Sequence, residues 1–271
     1  MNDSLYHYID PSFSHTQVGN YTLLLQLGMV NFSLAIMHGK QLMVWRHDAH
    51  LHELTRHGEV QEVLNFEYQN VITAISSSHF TLLPAEIIEQ DGIAGVARFL
   101  DVQASDTVFA QPLDTDNEVV FKAAPIQTRG IQRYDMQRVL FGAAGWLQAI
   151  AGNHPSGYHL YINVYGEQFD MAYFRQGKLN LFNTFEFTHE DELAYYAVFV
   201  CQQLKLDMST VTVILSGNIA PGDNRYHDIL AGIFKTVELN NIVVAQIPDE
   251  LPKHQLLSLT ALTLCASLAD A

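Results

Sequence analysis

A pattern of apolar residues that begins at Tyr21 recurs from Tyr158, and no other feature of the sequence constrains the fold as strongly. Each stretch contains three runs rich in β-forming residues, joined by connections short enough for an antiparallel meander. A constant offset aligns Tyr21 with Tyr158, Leu23 with Leu160, Phe32 with Phe169, Ala35 with Ala172 and Leu42 with Leu179. The alternative interpretation is a chance likeness between two amphipathic meanders.

The elements that follow each meander are predicted in the same order. After the first meander, helices are predicted at 52–64, at 86–100 and within 130–150, and strands at 71–75 and 119–124. After the second meander, helices are predicted at 190–206, 226–234 and 252–268, and strands at 211–215 and 242–247. The order βββαβαβα therefore occurs twice, which favours an internal duplication of one α/β unit over chance.

The length and composition of the chain agree with two lobes. A chain of 271 residues exceeds one small domain, since domains commonly contain roughly 100 to 200 residues. Apolar residues make up 48% of the chain, which is enough for two cores. Residues 1–17 show no period and are predicted to be an N-terminal extension. Pro155 and Gly157 mark a connection between the copies, which predicts one lobe at 18–153 and a second at 154–271.

The charge of the chain limits its partners. With 29 acidic and 14 basic residues, the formal net charge is −15. Such a surface repels phosphate backbones and anionic lipid, so neither nucleic acid nor a membrane is expected as a partner. The longest apolar helical candidates, 195–204 and 256–268, are shorter than the roughly 20 residues that cross a bilayer. Because the first residues lack the pattern of a secretory signal, we expect a cytoplasmic protein.

The cysteines and histidines form no metal-binding or redox pattern. Cys201 and Cys265 lie in apolar helical patterns without CxxC spacing, so they are predicted to be buried thiols. Four histidines lie between His47 and His57, and the segment from His52 to His57 is one residue longer than a zinc-protease helix motif. That separation turns the second side chain roughly 140° around a helix from the first. We therefore expect surface histidines and no metal site.

The repeated order βββαβαβα resembles the actin-like ATPase superfamily, whose architecture consists of two ribonuclease-H-like units. Five segments narrow the resemblance: LQLG at 25–28, NFSLAI at 31–36, FTLLP at 80–84, FNTF at 182–185 and EDE at 190–192. They look like domain-of-unknown-function family 3822, which is widespread in Bacteroidetes and has an actin-like ATPase fold. The resemblance covers nearly all of the chain from Tyr21 onward, and it implies a fold without implying a chemistry.

The resemblance also implies where a nucleotide site would lie. In active members of the superfamily the first hairpin carries Asp-x-Gly, whose carboxylate orders the water around a metal ion. Gln26 and Gly28 match this motif, and Ser33 stands where a basic residue is expected. In the second hairpin, Asn163 replaces the acid and Gly166 follows. An amide is a weaker ligand for a hard cation than a carboxylate, which makes catalysis doubtful at both hairpins.

Two further features bear on this site. Asp170 and Glu167 are the acidic residues that could replace the missing carboxylate. The glycine-rich loop that contacts adenosine in the superfamily resembles LSGN at 215–218, although a single glycine after a strand is also typical of an ordinary turn. The degenerate nucleotide-site positions are therefore Gly28, Ser33, Gly166 and Gly217.

Two functions remain open at this point. The first is a non-catalytic or weakly nucleotide-binding scaffold that presents its lobes to a protein partner, including a second copy of itself. This hypothesis expects no catalytic residue and no cofactor, although ATP with magnesium is what the superfamily implies. The second is an active ATPase or small-molecule kinase that uses displaced carboxylates such as Asp170. Phosphoryl transfer depends on a positioned metal ion, so the accessibility of the carboxylates distinguishes the two.

Overall fold

The computed structural model describes residues 7–265 of the chain. By its contacts the chain divides into two compact units. Within the described residues, 7–145 together with 259–265 form the first unit, and Trp146–Ser258 form the second. Among the helices within 7–265, none has both the length and the apolar character that a bilayer-spanning segment needs.

The first unit contains a six-stranded mixed sheet and a small three-stranded sheet. Its strands are β1 (Tyr8–Ile9), β2 (Thr22–Leu27), β3 (Asn31–His38), β4 (Gln41–His50), β5 (Asn70–Ile75), β6 (Phe80–Pro84), β7 (Thr107–Pro112), β8 (Asn117–Ala123) and β9 (Leu140–Phe141). The larger sheet has the order β1-β4-β3-β2-β5-β9. β2, β3 and β4 form an antiparallel meander, and β5 and β9 extend it in parallel.

The helices of the first part of the chain are α1 (Glu59–Leu64), α2 (Ala85–Ala97), α3 (Pro125–Ile131) and α4 (Ala144–Gly152). The small sheet has the order β6-β8-β7 and is antiparallel throughout. α2 packs against it, and Val96, Leu100 and Val120 form a separate small core there. Gly92 interrupts α2 with a φ of 69°, a backbone conformation that favours glycine.

The second unit contains one five-stranded sheet and the remaining helices. The strands are β10 (His159–Tyr165), β11 (Gln168–Arg175), β12 (Lys178–Glu186), β13 (Thr212–Gly217) and β14 (Thr236–Leu239), and the helices are α5 (Glu190–Leu204), α6 (Arg225–Ala231) and α7 (Lys253–Thr260). The strand order is β12-β11-β10-β13-β14, with an antiparallel meander and two parallel additions. α5 buries Leu193, Ala197 and Val200 in the core of this unit.

The two sheets share their strand order and their register. The order β4-β3-β2-β5-β9 in the first unit matches β12-β11-β10-β13-β14 in the second, with the same strand directions. Gln26 lies opposite Ser33 on β2 and β3, and Asn163 lies opposite Asp170 on β10 and β11. The sequence offset that aligns Tyr21 with Tyr158 also aligns Gln26 with Asn163 and Ser33 with Asp170.

Both meanders also contain an irregularity at the same place. The register between the second and third strands shifts between Ile36 and Met37 in the first unit, and between Tyr173 and Phe174 in the second. The same offset aligns these two β-bulges. A bulge is a specific local feature and recurs less readily by chance than alternation does. The shared bulge agrees with the hypothesis of an internal duplication.

One predicted strand and one predicted helix are wrong. The strand expected at 242–247 is replaced by β14, which ends just before Asn240. The Asn240 side chain accepts a hydrogen bond from the Ile242 backbone amide at 3.0 Å, a turn that bends the chain away from the sheet. The helix expected at 52–64 is divided into a 3-10 helix, Leu51–Leu54, and α1, because the chain is extended at Gly58.

The predicted extension, 1–17, contains β1, which pairs antiparallel with β4. The strands β6, β7 and β9 were not expected, and residues 266–268 of the last predicted helix lie outside the described part of the chain. The predicted lobes, 18–153 and 154–271, differ at their ends from the compact units. The division into these two lobes stays a prediction.

The apolar spacing along 190–206 predicts one buried face of α5, formed by Leu193, Tyr196, Ala197, Val200 and Leu204, and the structure confirms this prediction in part. Tyr196 and Leu204 are half-buried, while Ala194 is fully packed in the core. Cys201 and Cys265 are free and buried, as predicted, and burial raises the pKa of Cys201 to about 11.

Candidate nucleotide-site positions

The polar side chains of the first hairpin are engaged within the first unit. The Gln26 side-chain amide donates to the carbonyl oxygen of Gly142 at 3.1 Å. Ser33 Oγ lies 3.0 Å from His47 Nδ1 and accepts a hydrogen bond from the Asp48 backbone amide at 3.2 Å. In the superfamily, the positions of Gln26 and Ser33 would bind the water around a metal ion and the phosphate. Here both side chains are instead hydrogen-bonded to other residues of the first unit.

The tip of this hairpin is apolar. Gly28 donates its backbone amide to the carbonyl oxygen of Asn31 at 2.7 Å, and its own carbonyl oxygen accepts from the Gln127 side chain at 3.0 Å. Met29 and Val30 complete the tip, with 41% and 62% of their surfaces exposed. Phosphate is bound by free amide donors and cationic side chains. Because Gly28 is bonded and its neighbours are apolar, the tip offers little of either.

The second hairpin places a carboxyl group on the neighbouring strand. Asp170 is 4% exposed and accepts hydrogen bonds from Tyr165 Oη and Thr184 Oγ1, each at 2.7 Å. Asn163, also buried, is the residue directly across the sheet from Asp170. Burial raises the pKa of Asp170 to about 6, and the hydrogen bonds from Thr184, Tyr165 and Asn163 oppose that rise.

Asn163 extends these contacts to a second buried group. It is 4% exposed, and its Oδ1 accepts a hydrogen bond from Ser258 Oγ at 3.3 Å. We call the set Asn163, Tyr165, Asp170, Thr184 and Ser258 the Asp170 cluster. Each of its members has a partner within the cluster, so it is a closed internal network.

Gly217 lies beside the Asp170 cluster and is required by the backbone. Its φ is 89°, and a Cβ atom there would overlap the Val164 carbonyl oxygen and lie 2.9 Å from Asn163 Oδ1. The Asn218 amide donates to the same Val164 oxygen at 2.6 Å. Close packing of β13 on β10 therefore accounts for this glycine without a ligand. Neighbouring Ser216 is buried, and its Oγ accepts from Trp146 Nε1 at 3.3 Å.

The four predicted nucleotide-site positions, Gly28, Ser33, Gly166 and Gly217, do not form one site. Gly217 adjoins Asn163, whereas Gly166 is the exposed turn residue between β10 and β11, with a φ of 58° and open space around it. Gly28 and Ser33 lie on the first hairpin. Glu167, the other candidate acid, is exposed beside Gly166.

These residues do not fit a magnesium–nucleotide site of the superfamily kind. A hard cation needs carboxylate or carbonyl oxygens with free lone pairs. Gln26 presents an amide that is already bonded, and Asp170 is buried with two hydroxyl donors on its Oδ1. Within residues 7–265, no group of three His, Cys, Asp or Glu side chains is arranged to hold a metal ion.

The histidine-rich segment lines a cavity of about 390 Å³ in the first unit. His52 and His57 are exposed at its wall, and the buried Arg46 forms an ion pair with Glu53 at 2.5 Å. The cations and carboxylates of the lining are mixed, which is typical of a solvated polar surface.

Sequence reasoning missed Tyr165, Thr184 and Ser258 as members of the Asp170 cluster. Thr184 could have been found from the register of β11 and β12, because that register places its hydroxyl group directly opposite Asp170. Ser258 lies 95 positions from Asn163, so no local pattern connects them.

Comparison with solved structures identifies the fold. A Bacteroides thetaiotaomicron protein described as having an actin-like ATPase fold and unknown function superposes with a TM-score of 0.73, at 19% identity, over 93% of this chain and 98% of that one. A chain of the PilM-PilN type IV pilus biogenesis complex superposes with a TM-score of 0.55, at 15% identity, over 92% and 97%. The chain therefore has an actin-like, ribonuclease-H-like α/β fold.

A more distant likeness is to the AlfA filament bound to AMPPNP, with a TM-score of 0.44 at 11% identity over 92% of this chain and 98% of that one. No curated protein matches the sequence. The model of a family described as protein of unknown function (DUF3822) matches residues 10–233, which is most of the chain. The chain therefore belongs to the DUF3822 family.

Proposed function

We propose that this protein is a non-catalytic or weakly nucleotide-binding scaffold that works by presenting a surface to a protein partner. The proposal depends on the two positions at which the superfamily has an aspartate. Gln26 and Asn163 are amides, and each is hydrogen-bonded within its own unit. A site that must exchange magnesium and nucleotide needs ligands that are free to bind them.

The state of Asp170 argues against the alternative, an ATPase or kinase that uses displaced carboxylates. A metal ligand must be accessible to the ion. Asp170 is buried, and its Oδ1 already accepts hydrogen bonds from Thr184 and Tyr165. Recruiting this carboxylate would require the Asp170 cluster to open, with the loss of several buried hydrogen bonds.

Two further points support a binding role. The same fold occurs in the PilM-PilN complex, where it is part of a protein assembly. The exposed apolar side chains at the first hairpin tip, Met29 and Val30, suit contact with a protein better than contact with phosphate. We also propose that the protein is located in the cytoplasm of a Bacteroidetes cell. Its two cysteines, Cys201 and Cys265, are free and buried and form no disulfide, which agrees with a reducing compartment.

Phosphate release from ATP with Mg²⁺ tests this proposal. The purified protein should release phosphate no faster than buffer alone. Turnover that is present in the wild type and lost in Asp170→Asn would instead establish the displaced-carboxylate enzyme. Gln203→Ala, at an exposed position of α5, is the matched control for handling and contaminating ATPases.

A further inference from the structure

The histidine-rich cavity of the first unit lies beside the tip of the first hairpin. Its wall is formed where β4 ends and the chain passes through a short 3-10 helix into α1. Asn31, the residue after the tip, pairs with His50 at the end of β4. The Leu51 backbone amide donates to the Val30 carbonyl oxygen at 2.8 Å. The cavity and the exposed apolar tip, Met29 and Val30, therefore adjoin each other.

The wall of the cavity is anchored in the first unit. Leu51, Leu54 and Val60 are buried on its inner side. The Gln61 side-chain amide donates to the Leu54 carbonyl oxygen, and the Gln61 side-chain oxygen accepts from the Arg133 guanidinium at 2.6 Å. The polar side chains of the wall are thus held by a fixed backbone, and a volume of about 390 Å³ is large enough for a side chain of a partner.

The charge of this wall differs from that of the chain as a whole. In the sequence, acidic residues outnumber lysine and arginine by 29 to 14. The wall contains two arginines, three histidines and two glutamates, which are Arg46, Arg56, His50, His52, His57, Glu53 and Glu59. Its basic side chains therefore outnumber its carboxylates. On a protein with a strongly negative net charge, this cavity is a place that favours an anion.

Arg46 gives the cavity a cation in a fixed position. Its Nη2 forms an ion pair with Glu53 Oε2 at 2.5 Å, which sets the orientation of the planar guanidinium group. The Arg46 side chain is 7% exposed, whereas that of Glu53 is 30% exposed. Because water screens the Glu53 carboxylate more than it screens the buried guanidinium, the pair retains an attraction for an anion in the cavity.

The other basic side chains lie at the solvent side of the cavity. Arg56, His50, His52 and His57 are exposed. The rings of His50 and His52 lie 5.4 Å apart with their planes tilted by 32°. A histidine ring has at least one N–H donor in either protonation state, and arginine has five. A carboxylate that enters the cavity therefore meets N–H donors from several side chains.

We propose that the cavity and the first hairpin tip form a docking site for a protein partner, which contributes a glutamate or aspartate side chain beside apolar residues. The carboxylate enters the cavity and accepts hydrogen bonds from Arg56 and the histidines, near the charge of Arg46. The apolar residues of the partner cover Met29 and Val30. The proposal rests on the proposed scaffold function, and it names the chemistry of the partner.

The test is a titration of the full-length, isotope-labelled protein with a short peptide, followed by the shifts of backbone amide signals in NMR spectra. The probe is acetyl-Leu-Glu-Glu-Leu-amide, and in the matched peptide glutamine replaces both glutamates. We expect saturable shifts at residues 29–31 and 50–60. The dissociation constant should be about 0.1 to 1 mM, because a short flexible peptide loses conformational freedom on binding. The glutamine peptide should bind about ten-fold more weakly.

Three variants locate the site. Arg56→Gln removes an exposed cation of the cavity and should raise the dissociation constant of the glutamate peptide by about three- to five-fold. Arg56→Glu should raise it by about ten-fold or more, because it places a like charge beside the carboxylate. Arg175→Gln makes the same charge change as Arg56→Gln at an exposed position of the second unit, and should leave the dissociation constant unchanged.

The absence of saturable shifts at residues 50–60 up to roughly 10 mM peptide would overturn the proposal. Equal affinities for the glutamate and glutamine peptides, or equal effects of Arg56→Gln and Arg175→Gln, would overturn it as well. Inorganic phosphate is a further probe, and tighter binding of phosphate than of the peptide at the same residues would show a phosphate site instead. These outcomes are independent of ATP turnover, so failure of the docking site and failure of the scaffold function are distinguishable.

Discussion

Asn163 lies directly opposite Asp170 across strands β10 and β11, and both side chains are buried. The same register position in the first unit is occupied by Gln26 and Ser33. At this pair the second hairpin has a buried carboxyl group, on the second strand of its meander. Asp170 is therefore a structural residue, and its ionisation in this buried site lowers the free energy of unfolding by an amount that can be measured.

Asp170→Asn should change how stability depends on pH. The folded-state pKa of about 6 lies above the ordinary 3.8, so the stabilisation that Asp170 provides is complete below pH 3.8 and is lost as the pH rises through 6. Asparagine does not ionise. The free energy of unfolding of the variant minus that of the wild type should therefore rise by about 2 kcal/mol between pH 4 and pH 7.

Urea denaturation at several pH values measures this difference. Asp207→Asn is a suitable control because Asp207 is a carboxyl group outside the Asp170 cluster. Hydrogen bonds from the Ser209 side chain and then its backbone lower the pKa of Asp207, so its removal should give a trend of the opposite sign. A flat difference for Asp170→Asn would show that the carboxyl group titrates normally.

Gly217→Ala should strongly destabilise the second unit. A Cβ atom at this position overlaps the Val164 backbone, whereas at Gly222 it would meet nothing within 4 Å. Both glycines have positive φ, 89° and 82°, so backbone strain of about 1 to 2 kcal/mol is common to both alanine variants. The steric overlap adds about 2 kcal/mol or more at Gly217 alone. Equal denaturation midpoints for the two variants would contradict this packing.

Val200→Ala should cost about 1 to 3 kcal/mol of unfolding free energy. Val200 is buried in the core of the second unit, where truncation leaves a cavity. Gln203→Ala, one turn along α5 at an exposed position, should change stability by less than about 0.5 kcal/mol. Chemical denaturation of both variants gives the comparison, and an unchanged midpoint for Val200→Ala would count against its burial.

The meanders could be predicted because their signal is local. Consecutive leucines on β2 and alternating apolar residues on β3 and β11 identify strands without knowledge of their partners. β6 and β7 lack such a signal, since their residues are mostly half-buried and neither alternate nor form a buried run. β9 has two residues and exists only because it pairs with the end of β5.

The candidate site was predictable in identity but not in geometry. The replacement of acids by Gln26 and Asn163 is visible in the sequence. Their hydrogen bonds are not, because Gly142 and Ser258 come from parts of the chain 116 and 95 positions away. The burial of Asp170 depends in turn on the register of β11 with β12, which places Thr184 opposite it.

Thermal unfolding with ATP and Mg²⁺ tests the central claim, that the superfamily's nucleotide site has been lost, most directly. A ligand at 100 times its dissociation constant stabilises the folded state by about 2.7 kcal/mol, which raises Tm by roughly 5 to 10 °C in a chain of this size. We predict no rise in Tm for the wild type at millimolar ATP and Mg²⁺. In Gln26→Asp a metal-dependent rise should appear only if the first hairpin retains the ancestral phosphate position. A rise of several degrees in the wild type that requires both ATP and Mg²⁺ would contradict the account.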